Sequence, residues 1–412
     1  MQNAYLEDTS RSAELWERAR AVMPGGNSRT TVFTAPRPVY AASGQGAKVT
    51  DVEGQVRLDF VNNYTSLIHG HAHPRIIDAV VRQLSLGTAL SFPTETEVRL
   101  AEVLVDRVES LEQVRFTNSG TESVMMAVQA ARAFTGRPRI ARFEGCYHGA
   151  YAERADADLL LPFNDSESVE RLVSQHASEL AAVIVDPLPH RPGFVDPEPG
   201  FLQRLREVTR QHQILLISDE IISFRVAYGG AQQRFGYAAD LTTLGKIIGG
   251  GFPVGAFGGR AEVMAVFDPT RTTGPRVAHG GTFNANPVTM VAGYESMAML
   301  PSSEYERLAL LGQRVREGLA DLLETHGINW QVSGQASLFK LHPHPRPVTD
   351  YPSSVPTREE HAAMERFYLQ VFGEGIILTP ELAGCMSTPM TEAEADALVA
   401  AAERAFTSMT LS

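Results

Sequence analysis

Between residues 74 and 300, helical runs alternate with short apolar runs of strand pattern, and this alternation constrains the fold more than any other feature. Helical spacing over 74–84 and 94–108 leads to a strand at 113–117 and a helix at 120–135. A strand at 139–143, a helix at 166–176, a strand at 181–185, a helix at 200–211 and a strand at 214–218 follow. Parallel strands need a crossover between them, so the pattern predicts an α/β fold with a mostly parallel sheet covered by helices on both faces. Outside this stretch the pattern changes. A helix over 6–22, a turn at Met23-Pro24-Gly25-Gly26 and an irregular arm precede two short strands at 47–51 and 56–60. Beyond Leu300, a long helix over 303–325, β-like pieces around 330–342 and 375–379 and a last helix over 392–406 predict a smaller α+β domain. A chain of 412 residues exceeds one ordinary core. The expected division is an N-terminal arm (1–60) packed on the small domain, a large domain (61–300) and the small domain (301–412).

Composition narrows the class. With 43% hydrophobic and 20% charged residues the chain reads as globular, and no apolar run is long enough to cross a bilayer. Residues 1–20 are polar and lack the apolar core of a signal peptide, so a cytoplasmic enzyme is expected. A formal net charge of −12 would repel phosphates, which argues against nucleic acid or an anionic membrane as partner. Cys146 and Cys385 alone are too few for a disulfide framework or a thiolate metal centre, and no metal is expected.

Open parallel sheets carry their sites beyond the C-terminal ends of strands, and four such ends hold unusual residues. In Thr117-Asn118-Ser119-Gly120-Thr121-Glu122, Ser119 and Glu122 have capping-box spacing; the same helix start could grip a phosphate through the amides of Gly120 and Thr121. In Glu144-Gly145-Cys146-Tyr147-His148-Gly149 an aromatic ring could stack on a flat cofactor, or simply pack. Asp219-Glu220 ends a strand apolar enough to be buried on both faces, so Asp219 needs a partner: a protonated ring nitrogen, or the next turn. Lys246 lies between an apolar strand and Gly249-Gly250-Gly251. Confinement there would lower the amine's proton affinity and make it a nucleophile for an aldehyde. The glycines from 251 to 259 lack the spacing of a dinucleotide-binding loop, and that reading is rejected.

Taken in order, these segments resemble the class III aminotransferases of pyridoxal 5′-phosphate (PLP) fold type I. The resemblance rests on Asn118-Ser-Gly-Thr-Glu122, Gly145-Cys-Tyr-His-Gly149, Asp219-Glu220, Thr242-Thr-Leu-Gly-Lys246 and Gly281-Thr-Phe-Asn-Ala-Asn286, and runs through nearly the whole chain. It implies a seven-stranded type of sheet in the large domain, and a Schiff base between Lys246 and PLP, with Lys246 then moving the proton between substrate and cofactor carbons. It also implies Asp219 on the ring nitrogen, Tyr147 over the ring with His148 among the cofactor contacts, and Ser119, Gly120 and Thr121 on the phosphate. Thr282 would reach the phosphate of the other subunit, making the active unit a homodimer with two shared sites.

Two branches of the family are similar. Phe143-Glu-Gly-Cys-Tyr-His148 and Phe224-Arg-Val-Ala-Tyr-Gly-Gly-Ala231 resemble glutamate-1-semialdehyde aminomutase. Gly25-Gly-Asn-Ser-Arg29, Asn63-Tyr-Thr-Ser66 and a turn at 219–225 without the aminomutases' glycine are closer to aromatic β-amino-acid aminotransferases. In that branch Arg29 would bind the substrate carboxylate and Tyr64 would line the pocket; on its residues alone, Arg29 is equally a surface arginine. Two positions depart from the family: Glu381 stands where that branch has an arginine, and Asp186 where most members have glutamate before the proline. The expected function is PLP-dependent transfer of an amino group from a β-amino acid or related amine to a 2-oxo acid. Intramolecular transfer of the aminomutase kind is the alternative. A catalytically silent PLP-binding module is a third, which the intact Lys246 and Asp219 oppose.

Overall fold

The computed structural model describes residue 7 and residues 10–34, 36–150 and 158–410. In the N-terminal stretch β1 (Ala41–Gln45), β2 (Lys48–Asp51) and β3 (Val56–Asp59) form an antiparallel meander. The central strands are β4 (Gln113–Thr117), β5 (Arg139–Phe143), β6 (Leu159–Leu161), β7 (Leu180–Val185), β8 (Leu215–Asp219), β9 (Leu241–Gly245) and β10 (Gly255–Gly259). They form one seven-stranded sheet in the order β4-β10-β9-β8-β7-β5-β6, in which only β10 runs against its neighbours. Strands β7 and β8 are buried along their whole length, which explains their uninterrupted apolar sequences: both faces lie under helices.

The last third contributes β11 (Gln331–Ser333), β12 (Leu338–His342), β13 (Ile376–Ile377) and β14 (Ala383–Cys385). Strands β11, β12 and β14 form a three-stranded sheet, whereas β13 adds in parallel to β3 and extends the N-terminal meander. A continuous apolar cluster includes Phe60, Leu100, Ile247, Leu319, Phe339 and Phe406, so side chains from all along the chain share it.

Most elements fall within a residue or two of expectation. The first helix is shorter, at Arg11–Arg20, with Ser10 capping the amide of Ala13; the expected start at Leu6 lies outside the described residues. Strand β1 replaces part of the expected irregular arm, and the helices Pro287–Ala298 and Arg358–Gly373 join those foreseen. Strand β10, Gly-Ala-Phe-Gly-Gly, carries almost none of the β-branched or aromatic residues that mark strands. Its glycines answer crowding: a Cβ at Gly255 would lie 2.2 Å from the Ser119 carbonyl oxygen, and one at Gly258 2.1 Å from that of Gln113.

Candidate active site

Strands β4, β5, β7, β8 and β9 run the same way, and residues at or just beyond their C-terminal ends converge on one side of the sheet. Asp219 closes β8 and is buried. Its Oδ1 accepts from the Thr243 hydroxyl at 3.1 Å and the Ile221 amide at 3.2 Å, while Oδ2 lies 2.7 Å from Nδ1 of the buried His148. An ionised carboxylate only accepts, so Nδ1 of His148 carries the proton. Three donors on two oxygens fix the carboxylate and leave it room for one more. Glu220, one residue on, serves a different purpose: its carboxylate accepts from the Ala231 amide at 2.6 Å and from the amide and side chain of Gln232, capping the helix Gly230–Phe235.

Lys246 follows β9 with a φ of 51°, a left-handed backbone uncommon outside glycine. Burial lowers its proton affinity below the ordinary lysine range, against the opposing pull of Asp219 and Asp186. Asp186, the first residue beyond β7, is buried, and its carboxyl is pushed well above the usual range by burial and by the charge of Asp219. The site therefore holds one acid fixed by three donors, one acid driven toward its neutral form and one amine driven toward its neutral form.

At the end of β4, Ser119 caps the helix Gly120–Thr135 by accepting from the Glu122 amide at 3.2 Å. Glu122 reaches back past the cap residue to the Asn118 amide at 2.7 Å, so only the Ser119 half of the expected capping box forms. The cap leaves the first-turn amides of Gly120 and Thr121 without intrahelical partners, which suits an anion at this helix start. Gly149 packs on Thr121 so tightly that a Cβ there would fall 2.6 Å from the Thr121 hydroxyl. Tyr147, in the same loop, is 38% exposed, with His190 against its ring edge at 6.1 Å and the Arg191 guanidinium over it at 5.2 Å.

Arg29 and Tyr64 are brought together from the N-terminal arm and a short turn after β3. The guanidinium donates to Asn63 Oδ1 at 2.8 Å and lies 5.2 Å from the centre of the Tyr64 ring, whose hydroxyl donates to the Thr31 carbonyl. Arg29 is also among the charges that lower the proton affinity of Lys246, after burial. The turn itself is strained: Asn62, Asn63, Tyr64 and Thr65 all have left-handed φ between 47° and 70°. It is held by the Asn62 amide donating to Asp59, by the Asn62 side chain donating to the Cys385 carbonyl, and by Arg225. Arg225 is fully buried and donates to the Thr65 carbonyl at 2.9 Å, to the Ser337 hydroxyl at 3.0 Å and to the Met386 carbonyl. Glu381 is exposed across the same mouth, where its charge raises the phenol of Tyr64, behind the larger effect of burial. Thr282 makes none of these contacts; it stands exposed beside Phe283, itself 58% exposed.

Sequence reasoning missed Thr243, Arg225 and Asn284, which accepts from the Asn118 side chain at 2.7 Å. Thr243 was recoverable in principle, since it lies directly across from Asp219 in the β8–β9 pairing. A cavity of about 780 Å³ opens at the opposite end of the sheet between Arg137, Arg206 and Arg260, and shares no residue with this constellation.

Residues 32–157 and 150–342 match the family model described as Aminotransferase class-III. The chain belongs to the class III aminotransferases. This class III aminotransferase has the PLP fold type I and is a PLP-dependent enzyme. Its amine, strand-end carboxylate and capped helix start fit PLP's aldehyde, ring nitrogen and phosphate. It is 54% identical to an omega-transaminase from Sphaerobacter thermophilus, over 98% of this chain and 99% of that one, with a TM-score of 0.95. It is 37% identical to a β-phenylalanine aminotransferase from Variovorax paradoxus, over 97% and 94% of the two chains, with a TM-score of 0.93. A glutamate-1-semialdehyde 2,1-aminomutase from Methanothermobacter thermautotrophicus is 43% identical, over 81% of this chain and 83% of its own.

Proposed function

We infer that this aminotransferase moves the amino group of a β-amino acid, aromatic ones included, or of a related amine to a 2-oxo acid. The observation that carries this reading is the Arg29–Asn63–Tyr64 group, a guanidinium held over an aromatic ring within electrostatic reach of Lys246. A planar fork of donors pairs with a carboxylate through two parallel hydrogen bonds, and the ring beside it suits an aromatic side chain. Bound PLP supplies an aldehyde for the amine and a ring that withdraws electrons from the substrate carbon. Lys246 Nζ, whose proton affinity burial lowers, takes and returns the proton at that carbon. Asp219 holds the proton on the ring nitrogen, Tyr147 and His148 keep the ring and that carboxylate in place, and Ser119, Gly120 and Thr121 hold the phosphate.

Replacing Arg29 tests the assignment. Arg29→Ala should raise KM for β-phenylalanine about ten- to a hundredfold, the loss of one charged hydrogen-bonded pair. KM for 1-phenylethylamine, which has no carboxylate, should hardly move. Equal small changes for both would remove Arg29 as the carboxylate anchor.

The aminomutase relatives favour a second reading, in which the nitrogen returns to the same carbon skeleton. Supplying glutamate-1-semialdehyde separates the two: net isomerisation without a 2-oxo acid supports the aminomutase, whereas dependence on an acceptor supports the transaminase.

The active unit in this proposal is a homodimer, with Thr282 reaching the phosphate in the partner's site. The exposed apolar side chains of Val81, Leu84, Leu86, Leu90 and Phe92, close in sequence, and of Phe283 support it, with Phe92 81% exposed in the single chain.

A further inference from the structure

His148 uses one ring nitrogen on Asp219 and leaves the other in a place where it must find a partner. Nε2 is buried and has no hydrogen-bonding partner among the described residues. A buried acceptor left without a donor is costly, so its surroundings decide what meets it. His148 lines a cavity of about 10 Å³ together with Val124, Val128, Ile140 and Ile184 and three charged residues, Arg132, Arg142 and Asp158. That volume matches one water molecule, and the polar groups are enough to bind it. Asp158 is held from behind, its Oδ2 accepting from Arg142 Nε at 3.2 Å with both side chains mostly buried. Burial raises the Asp158 carboxyl, and Arg142 opposes that rise.

We propose that Asp158 is a positioning residue for Asp219, acting through one buried water and His148. The water donates one hydrogen to Nε2 and the other to Asp158. The ring then stays neutral with its proton on Nδ1, aimed at Asp219. Asp219 keeps its full negative charge and a fixed orientation for the ring nitrogen of the cofactor. This relay rests on the reading that Asp219 faces that nitrogen. It runs away from the substrate, into the layer between β5, β7 and the helix Gly120–Thr135.

The test uses the PLP-loaded enzyme with ¹⁵N-labelled histidine. In the wild type, Nδ1 of His148 should appear protonated and Nε2 bare but hydrogen-bonded. A high-resolution crystal structure should place a water between Nε2 and Asp158. Val128→Ile fills the cavity without touching a polar group, and should move the Nε2 resonance toward that of a free acceptor. Asp158→Ala should also move it, and in both variants kcat should fall about three- to tenfold, the worth of one neutral hydrogen bond. Asp158→Asn retains an acceptor for the water and should restore both readouts. A wild-type Nε2 that carries a proton, or an unchanged Nε2 resonance in Val128→Ile and Asp158→Ala, overturns the relay. Asp219→Asn separates the two layers of the argument. Severe loss there with no effect at Asp158 removes only the relay, whereas normal rates in Asp219→Asn remove the reading beneath it.

Discussion

Lys246 combines a left-handed backbone, burial and two neighbouring acids, of which Asp186 is pushed toward its neutral form by burial. The backbone strain persists because the surrounding strands over-determine it, a pattern found where a side chain must be aimed. Lys246→Ala should abolish the visible band of the lysine-bound cofactor and lower turnover by at least about a hundredfold, the range of a lost general base. Turnover near wild type would place the base elsewhere. Asp219→Asn should keep PLP bound and lose most activity, with Asp219→Glu less damaging. The lysine also makes a pH prediction. Because burial lowers its proton affinity, the neutral amine is present at lower pH than for an exposed lysine. Uptake of PLP by the cofactor-free protein should therefore rise with pH around a midpoint below the ordinary lysine value of 10.5. A midpoint at or above that value in a rate-versus-pH series would contradict the burial effect.

At the level of elements, what the sequence made legible follows from where each signal is stored. Strands β7 and β8 write their burial into their own residues, so an apolar run is enough to find them. The capped helix start at Ser119 is equally local, since the cap and its partner are three residues apart. Strand β10 is different, because its glycines are dictated by Ser119, Thr117 and Gln113, remote in sequence and adjacent only after folding. The left-handed turn at Asn62–Thr65 was illegible for the same reason: Arg225 and Cys385 hold it from far along the chain. The role of Thr243 waited on a strand register that no single strand specifies. This dependence is testable at Gly255, where a Cβ would meet the Ser119 carbonyl at 2.2 Å and the Thr117 and Ser123 hydroxyls at 2.3 Å. Gly255→Ala should cost about 1–3 kcal/mol by overpacking, and weaken PLP binding by displacing the helix start. A thermal melt and a PLP titration would both have to be unchanged for the close packing to be unimportant.

For the whole molecule, the exposed apolar side chains and Thr282 make a joint prediction about shared sites. If Thr282 serves the neighbouring subunit, Lys246→Ala mixed with Thr282→Ala should form heterodimers in which one site carries both defects and the other neither. Activity should then rise above that of either parent once subunit exchange is confirmed and Thr282→Ala alone is clearly impaired. No recovery under those conditions would place Thr282 in its own subunit's site. The pairing of β13 with β3 bears on a different stage in the molecule's life. On the ribosome, β3 emerges long before the strand that completes its sheet has been translated. The nascent arm must keep an open strand edge out of reach of other chains until Ile376 and Ile377 have been translated. Edges of this kind template aggregation. Chaperone demand should therefore persist until Ile376 emerges, and a chain released upstream of it would carry that open edge permanently.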